Sequence, residues 1–188
     1  MDFILAFINF IDRGWRKLVR AAYKNQALNM GLKLGEGTLL VGDQSFGSEP
    51  FLITIGENCL ITDGVRFVTH DGSIQVPLIK NGEDFEDVYS NKSTFSRIVI
   101  GDNVFIGVNS IILPGTNLGD DSIVAAGAVV KGSFPDGVVI GGNPSKIICS
   151  TQEYFDKNKS NILSFSSEKP RRDQIDDYIR SNEVESDN

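Results

Sequence analysis

The stretch Phe-Val-Thr-His-Asp-Gly-Ser, residues 67–73, holds the only histidine in 188 residues. Imidazole takes up and releases a proton near neutral pH, so one well-placed histidine suffices for general base work. Asp71 follows it directly. A neighbouring carboxylate can orient the ring or stabilise imidazolium. It can equally close a turn, because Asp-Gly is a turn signal by itself. An ordinary surface imidazole is the plain alternative for His70. The two cysteines, Cys59 and Cys149, form neither a disulfide framework nor a zinc pattern. Such usage fits a reducing cytoplasm.

What positions His70 is a repeat of six. From Ile100 the chain reads IGDNVF IGVNSI ILPGTN LGDDSI VAAGAV VKGSFP. Each block opens on an aliphatic residue: Ile100, Ile106, Ile112, Leu118, Val124 and Val130. The fifth place is mostly small (Val104, Ser110, Thr116, Ser122, Ala128), and the pattern fades at Phe134. An earlier run is led by Ile55, Ile61 and Phe67, with a vaguer start at Leu34 and Leu40. A period of six would scatter these residues around a helix. Short strands joined by tight turns aim one aliphatic inward per block. Three strands close a triangular coil, and stacked coils bury a continuous column. A β-sandwich lacks such a fixed short period.

Bulk properties agree with one compact domain carrying appendages. A net charge of -7 argues against a general nucleic-acid binder, which needs a basic face. No run of 18 apolar residues is present, so no transmembrane helix is expected. Residues 1–30 read as an amphipathic helix, with Phe3, Phe7, Phe10, Ile11, Trp15, Leu18 and Val19 near helical spacing. Its positive charges follow the apolar segment, unlike those of a signal peptide. Two readings stand: a membrane-surface helix, or a helix packed on its own domain or a partner subunit. Residues 31–149 hold the coils, broken by an extended loop at 73–97. Residues 150–188 are expected to form a short helix over the end of the stack, a second helix at RRDQIDDYIRS, and a disordered end.

The coils resemble the hexapeptide-repeat acyltransferases, whose fold is a left-handed parallel β-helix. The resemblance covers residues 32 to 149, including the closing stretch GGNPSKII. It is strongest to the branch that O-acetylates sugars and surface polysaccharides. It implies a homotrimer, with acetyl-CoA and the acceptor bound between subunits. It places the catalytic base at His70, with Asp71 as partner or turn residue. Val108, Asn109, Ala126 and Gly127 match positions whose backbone approaches the pantetheine arm. Lys146, in the closing stretch, matches a phosphate contact. Lys131 lies one place early for a second, and the usual threonine is missing. The loop is expected to line the acceptor site, with Tyr89 a candidate contact. Its acids, Glu83, Asp84, Glu86 and Asp87, read as a solvated face. Asp43, Ser48 and Glu49, in the coil before the histidine, are candidate acceptor contacts. The same coil houses zinc carbonic anhydrases, which need three histidines per metal; this chain supplies one per subunit, so no metal is expected.

The expected activity is acetyl transfer from acetyl-CoA to a sugar hydroxyl in surface-polysaccharide synthesis. Transfer to an amino sugar nucleotide or an antibiotic is the nearest variant. A trimeric coil acting only as a scaffold is the other class, and it has no use for His70 or the loop.

Overall fold

The computed structural model describes residues 2–186. The last two residues of the expected disordered end, Asp187 and Asn188, lie outside the described residues. Two compact units make up the chain, residues 1–151 and 152–188. The first opens with α1 (Asp2–Asn29). Gly31, with a left-handed φ of 94°, ends it. The Gly31 amide donates to the Leu28 carbonyl and the Leu32 amide to Ala27, so two terminal carbonyls are satisfied at once. Ala27 and Leu32 thereby enter the core.

Five coils follow. The first has β1 (Lys33–Leu34), β2 (Leu39–Leu40) and a bridge at Ser45. The second has β3 (Ile53–Ile55), β4 (Leu60–Ile61) and β5 (Arg66–Phe67). An excursion then carries β6 (His70–Asp71), α2 (Gln75–Lys80), α3 (Phe85–Asn91) and β7 (Thr94–Phe95). The third coil has β8 (Ile98–Ile100), β9 (Phe105–Ile106) and β10 (Ile111–Ile112). The fourth has β11 (Asn117–Leu118), β12 (Ile123–Val124) and β13 (Val129–Val130). The fifth has β14 (Ser133–Phe134) and β15 (Val138–Gly142), on which β16 (Ser145–Ser150) folds back antiparallel. Strands of successive coils pair in parallel, forming three sheets around a triangular interior. The second unit contributes α5 (Arg171–Ser186) and most of α4 (Thr151–Asn158).

The hexapeptide leaders stack in register. Ile100 pairs with Leu118, Ile106 with Val124 and Ile112 with Val130, each 18 residues apart. All six, with Ile55, Ile61, Phe67 and Ile140, are at most 1% exposed. Each such side chain contributes roughly 1.5–3 kcal/mol on burial. The period of six breaks at Phe134, where the sequence pattern fades. Phe134 pairs with Leu118, so the block before it is shortened and Phe134 resumes the inward column. The small fifth positions are buried at corners, where hydroxyls reach the carbonyls of the next coil. Ser110 Oγ lies 3.0 Å from the Ala125 carbonyl and Thr116 Oγ1 3.0 Å from that of Val130. Where coils approach most closely, only glycine fits: a Cβ on Gly107 would lie 2.5 Å from the Ala126 nitrogen.

Two departures from this spacing position the site. Lys33 and Leu39 pair with Thr54 and Leu60, 21 residues on, so three extra residues separate the first two coils. Ile55, Ile61 and Phe67 pair with Ile100, Ile106 and Ile112, 45 residues on, which leaves 27 extra. Both insertions fall at the corner leading from the third face to the first face of the next coil. The column should therefore be far more sensitive than the outer faces. Ile112→Ala is expected to cost about 2–5 kcal/mol in urea denaturation, against under about 0.5 kcal/mol for exposed Asn117→Ala. Equal costs would mean that the column does not carry the fold.

Candidate active site

His70 leaves the third corner on a short antiparallel ribbon. It pairs with Phe95, and Asp71 pairs with Thr94. The Ser96 amide donates to the Thr69 carbonyl at 3.0 Å, sealing the base of the ribbon. The excursion thus closes on itself at a stalk, and His70 stands on that stalk. The Phe95 ring lies 5.8 Å from the imidazole, tilted by 50°.

The ring's carboxylate partner comes from the other insertion. Glu49, in the three extra residues of the first turn, places Oε2 2.9 Å from His70 Nδ1. Buried Thr69 donates its hydroxyl to the same oxygen at 2.6 Å. Burial pushes the Glu49 carboxyl up, but the hydrogen bonds from Thr69, His70 and Ser48 outweigh it and hold the group below its ordinary value. An ionised carboxylate only accepts hydrogen bonds. Nδ1 therefore carries the proton it shares with Glu49, which in the neutral ring leaves the lone pair on Nε2. His70 remains about two-fifths exposed while Glu49 is mostly covered. A half-open imidazole with a fixed tautomer and an anionic support is built to take a proton at Nε2.

This arrangement bears on two of the candidates. Of the two roles left open for Asp71, its side chain takes the turn: Oδ1 accepts the Ser73 amide at 2.8 Å. That bond, with lesser help from the Ser73 hydroxyl, Lys131 and His70, holds the Asp71 carboxyl below its ordinary value. Glu49, a candidate acceptor contact, has its Oε2 engaged by the ring. Thr69 and Phe95 were not singled out in the sequence. Only Thr69's adjacency to His70 hinted at a role.

The excursion is not the extended loop expected at 73–97. Asp84 caps α3 by accepting the Asp87 amide at 3.0 Å. Lys92 bridges Glu83 and Asp87, and Val88 is fully buried. Three of the four acids taken for a solvated face therefore hold the excursion together. Tyr89 is exposed on α3 and stacks on Phe85 with ring centroids 6.1 Å apart.

The remaining candidates lie elsewhere. Val108, Asn109, Ala126 and Gly127 share the second corner, where the Gly127 amide donates to the Val108 carbonyl at 2.8 Å. All four are exposed, Asn109 and Gly127 have left-handed φ, and a Cβ on Gly127 would meet open space. The same corner one coil lower carries Asp63, and the next Asp43, which pairs with Arg20 of α1 at 2.7 Å. Asp43 is thus separated from His70 by a face of the coil. Lys131 follows Val130 at the third corner, close enough to act electrostatically on Asp71. Lys146 is exposed on β16. A cavity of about 760 Å³ lies between α1 and residues 40–50, with Ser48 and Pro50, the neighbours of Glu49, in its wall. Among the described residues no group of three His, Cys, Asp or Glu is placed to hold a metal ion.

The sign of the Glu49 shift fixes a pH dependence. A carboxyl lowered on folding stabilises the fold fully above its unfolded value, and that contribution disappears as pH falls through the lowered one. The stability gap between the native chain and Glu49→Gln should be widest near neutrality and should close below the ordinary value of 4.5. Urea denaturation across that range measures it; a gap independent of pH would refute the lowered Glu49 carboxyl.

The family described as "Hexapeptide repeat of succinyl-transferase" matches residues 97–131. "Protein CapG" of Staphylococcus aureus is 46% identical over 130 residues, 68% of this chain and 71% of that protein. The galactoside O-acetyltransferase of Escherichia coli (strain K12) is 35% identical over 111 residues, 59% of this chain and 49% of that one. This chain thus spans about half of the latter relative. A maltose O-acetyltransferase structure from Clostridium difficile 630 superposes with a TM-score of 0.52 at 22% identity, covering 68% of this chain and 73% of that one; it speaks for the fold alone. Coils, stacked leaders and relatives converge: the chain belongs to the hexapeptide-repeat acyltransferase family.

Proposed function

We propose that this protein transfers acetyl from acetyl-CoA to a sugar hydroxyl in the synthesis of a surface polysaccharide, with His70 as general base. The observation that carries this reading is the Glu49–His70 pair on the stalk, which leaves Nε2 free to take a proton. Acetyl-CoA supplies the acyl group as an activated thioester. His70 Nε2 removes the acceptor hydroxyl's proton as the oxygen bonds to the acyl carbon, and returns a proton to the departing sulfur. Glu49 fixes the tautomer and stabilises the transient imidazolium. Identity to a galactoside O-acetyltransferase supports a sugar acceptor and O-transfer.

The second corner suits the pantetheine arm. Its small, exposed residues Ala126 and Gly127 leave the backbone approachable. Lys146 is the cation we assign to a CoA phosphate. Lys131, at the histidine's own corner, is the second cation we assign to CoA. His70 and the Val108 to Gly127 corner lie along different edges of the triangular stack. Neighbours around a three-fold axis bring the His70 edge of one subunit against the Val108 to Gly127 edge of the next. We therefore assign a homotrimer with sites between subunits, working in the cytoplasm where acetyl-CoA is available. Tyr89, exposed on the excursion, is the residue we assign to acceptor contact.

Thiol release from acetyl-CoA, assayed against a panel of sugars and sugar nucleotides, tests this reading. Release should require a sugar and fall about 10²–10⁴-fold in His70→Ala, with CoA binding retained. An unchanged rate in the variant would sink the mechanism. Absence of both release and CoA binding would favour a scaffold.

A further inference from the structure

α1 has two unlike sides. Toward its C-terminal end Ala27 packs into the core, and Val19, Tyr23 and Met30 line the cavity over the first coil. Phe7, Phe10, Ile11, Trp15 and Leu18 are all exposed; Phe10 is 76% exposed, Trp15 64% and Leu18 62%. At 3.6 residues per turn these five fall within an arc of roughly 140°, centred almost opposite Ala27. The coil therefore does not account for them. Arg13, Lys17 and Lys24 line one flank of the arc. The helix carries five basic residues against Asp2 and Asp12, a net charge of +3 in a chain whose total is -7. Positive charge is thus concentrated on the element whose apolar side is bare. Among the described residues no helix is long and apolar enough to cross a membrane.

We propose that α1 is a membrane-surface helix that lies in the plane of an anionic phospholipid leaflet. Phe7, Phe10, Ile11, Trp15 and Leu18 enter the boundary between headgroups and acyl chains, and Arg13, Lys17 and Lys24 meet the lipid phosphates. An apolar aromatic arc flanked by cations has this use in an interfacial helix. Pairing two copies of α1 would bring like charges together, which favours lipid over a second helix as the occupant. Docking of this kind would hold the site beside a lipid-borne acceptor, yet it does not depend on the acyl-transfer reading.

Trp15 is the chain's only tryptophan, so its emission reports on this face alone. The full chain is mixed with phosphatidylcholine vesicles, with and without phosphatidylglycerol, at low and high salt. Trp15 emission should shift to the blue and the protein should float with the anionic vesicles, both weakening as salt rises. Phe10→Ser should lower partitioning by about tenfold or more. Lys17→Glu should weaken the preference for anionic lipid. His70→Ala should bind as the native chain does, which separates docking from catalysis. Two results would overturn the proposal. One is unshifted emission with the protein left behind by both vesicles. The other is emission already blue without lipid and moving to the red on dilution, the sign of a second copy covering the face.

Discussion

Everything in this molecule hangs on the register between successive coils. A leader in one coil must lie directly on a leader in the next, because the leaders of all three faces share one interior. Ile106 between Ile61 and Val124 shows the demand: parallel ladders fix the backbone, and the buried aliphatics fix the phase. A slip of one residue would turn the whole face outward. Glycines such as Gly107 and the buried hydroxyls of Ser110 and Thr116 serve the same end, letting backbones approach without leaving polar groups unpaired.

Given that rigidity, variation has only the corners in which to occur. The three-residue insertion carrying Glu49 and the 27-residue insertion opened by His70 use the same corner in adjacent coils. Stacking alone then brings their side chains to 2.9 Å, although they are far apart in sequence. The catalytic candidate is thus a product of two interruptions of the repeat, held in place by the regularity on either side. The corner of Val108 and Gly127 keeps its tight turns and open backbone.

How much of this could be read beforehand follows from the same physics. The leaders at Ile100 through Val130 declare themselves, because a fixed period leaves a trace in any window of sequence. His70 stands out through its rarity and its place at the end of a run. Glu49 does not, since its insertion breaks the period and no local spacing ties it to a histidine a coil away. Asp71 draws attention in its place because adjacency resembles partnership, whereas the following Gly72 and Ser73 favour a turn. The small helices of the excursion are too short for periodicity to show, and their acids look solvent-bound until Lys92 and the Asp84 cap gather them. For α1 the amphipathic pattern is plain. Which side meets the coil depends on Gly31, whose turn directs Ala27 inward.

The ribbon joining His70 to Phe95 has a further consequence. Because the excursion leaves and rejoins the coil at one paired base, its internal length and sequence are decoupled from the stack beneath. Closing a longer or shorter loop at that base changes the entropy only logarithmically. The excursion is therefore an exchangeable cassette. Residues between the two arms can diverge, or be grafted from one chain to another, while the histidine's anchorage stays constant. Such change leaves intact the architecture that bears it.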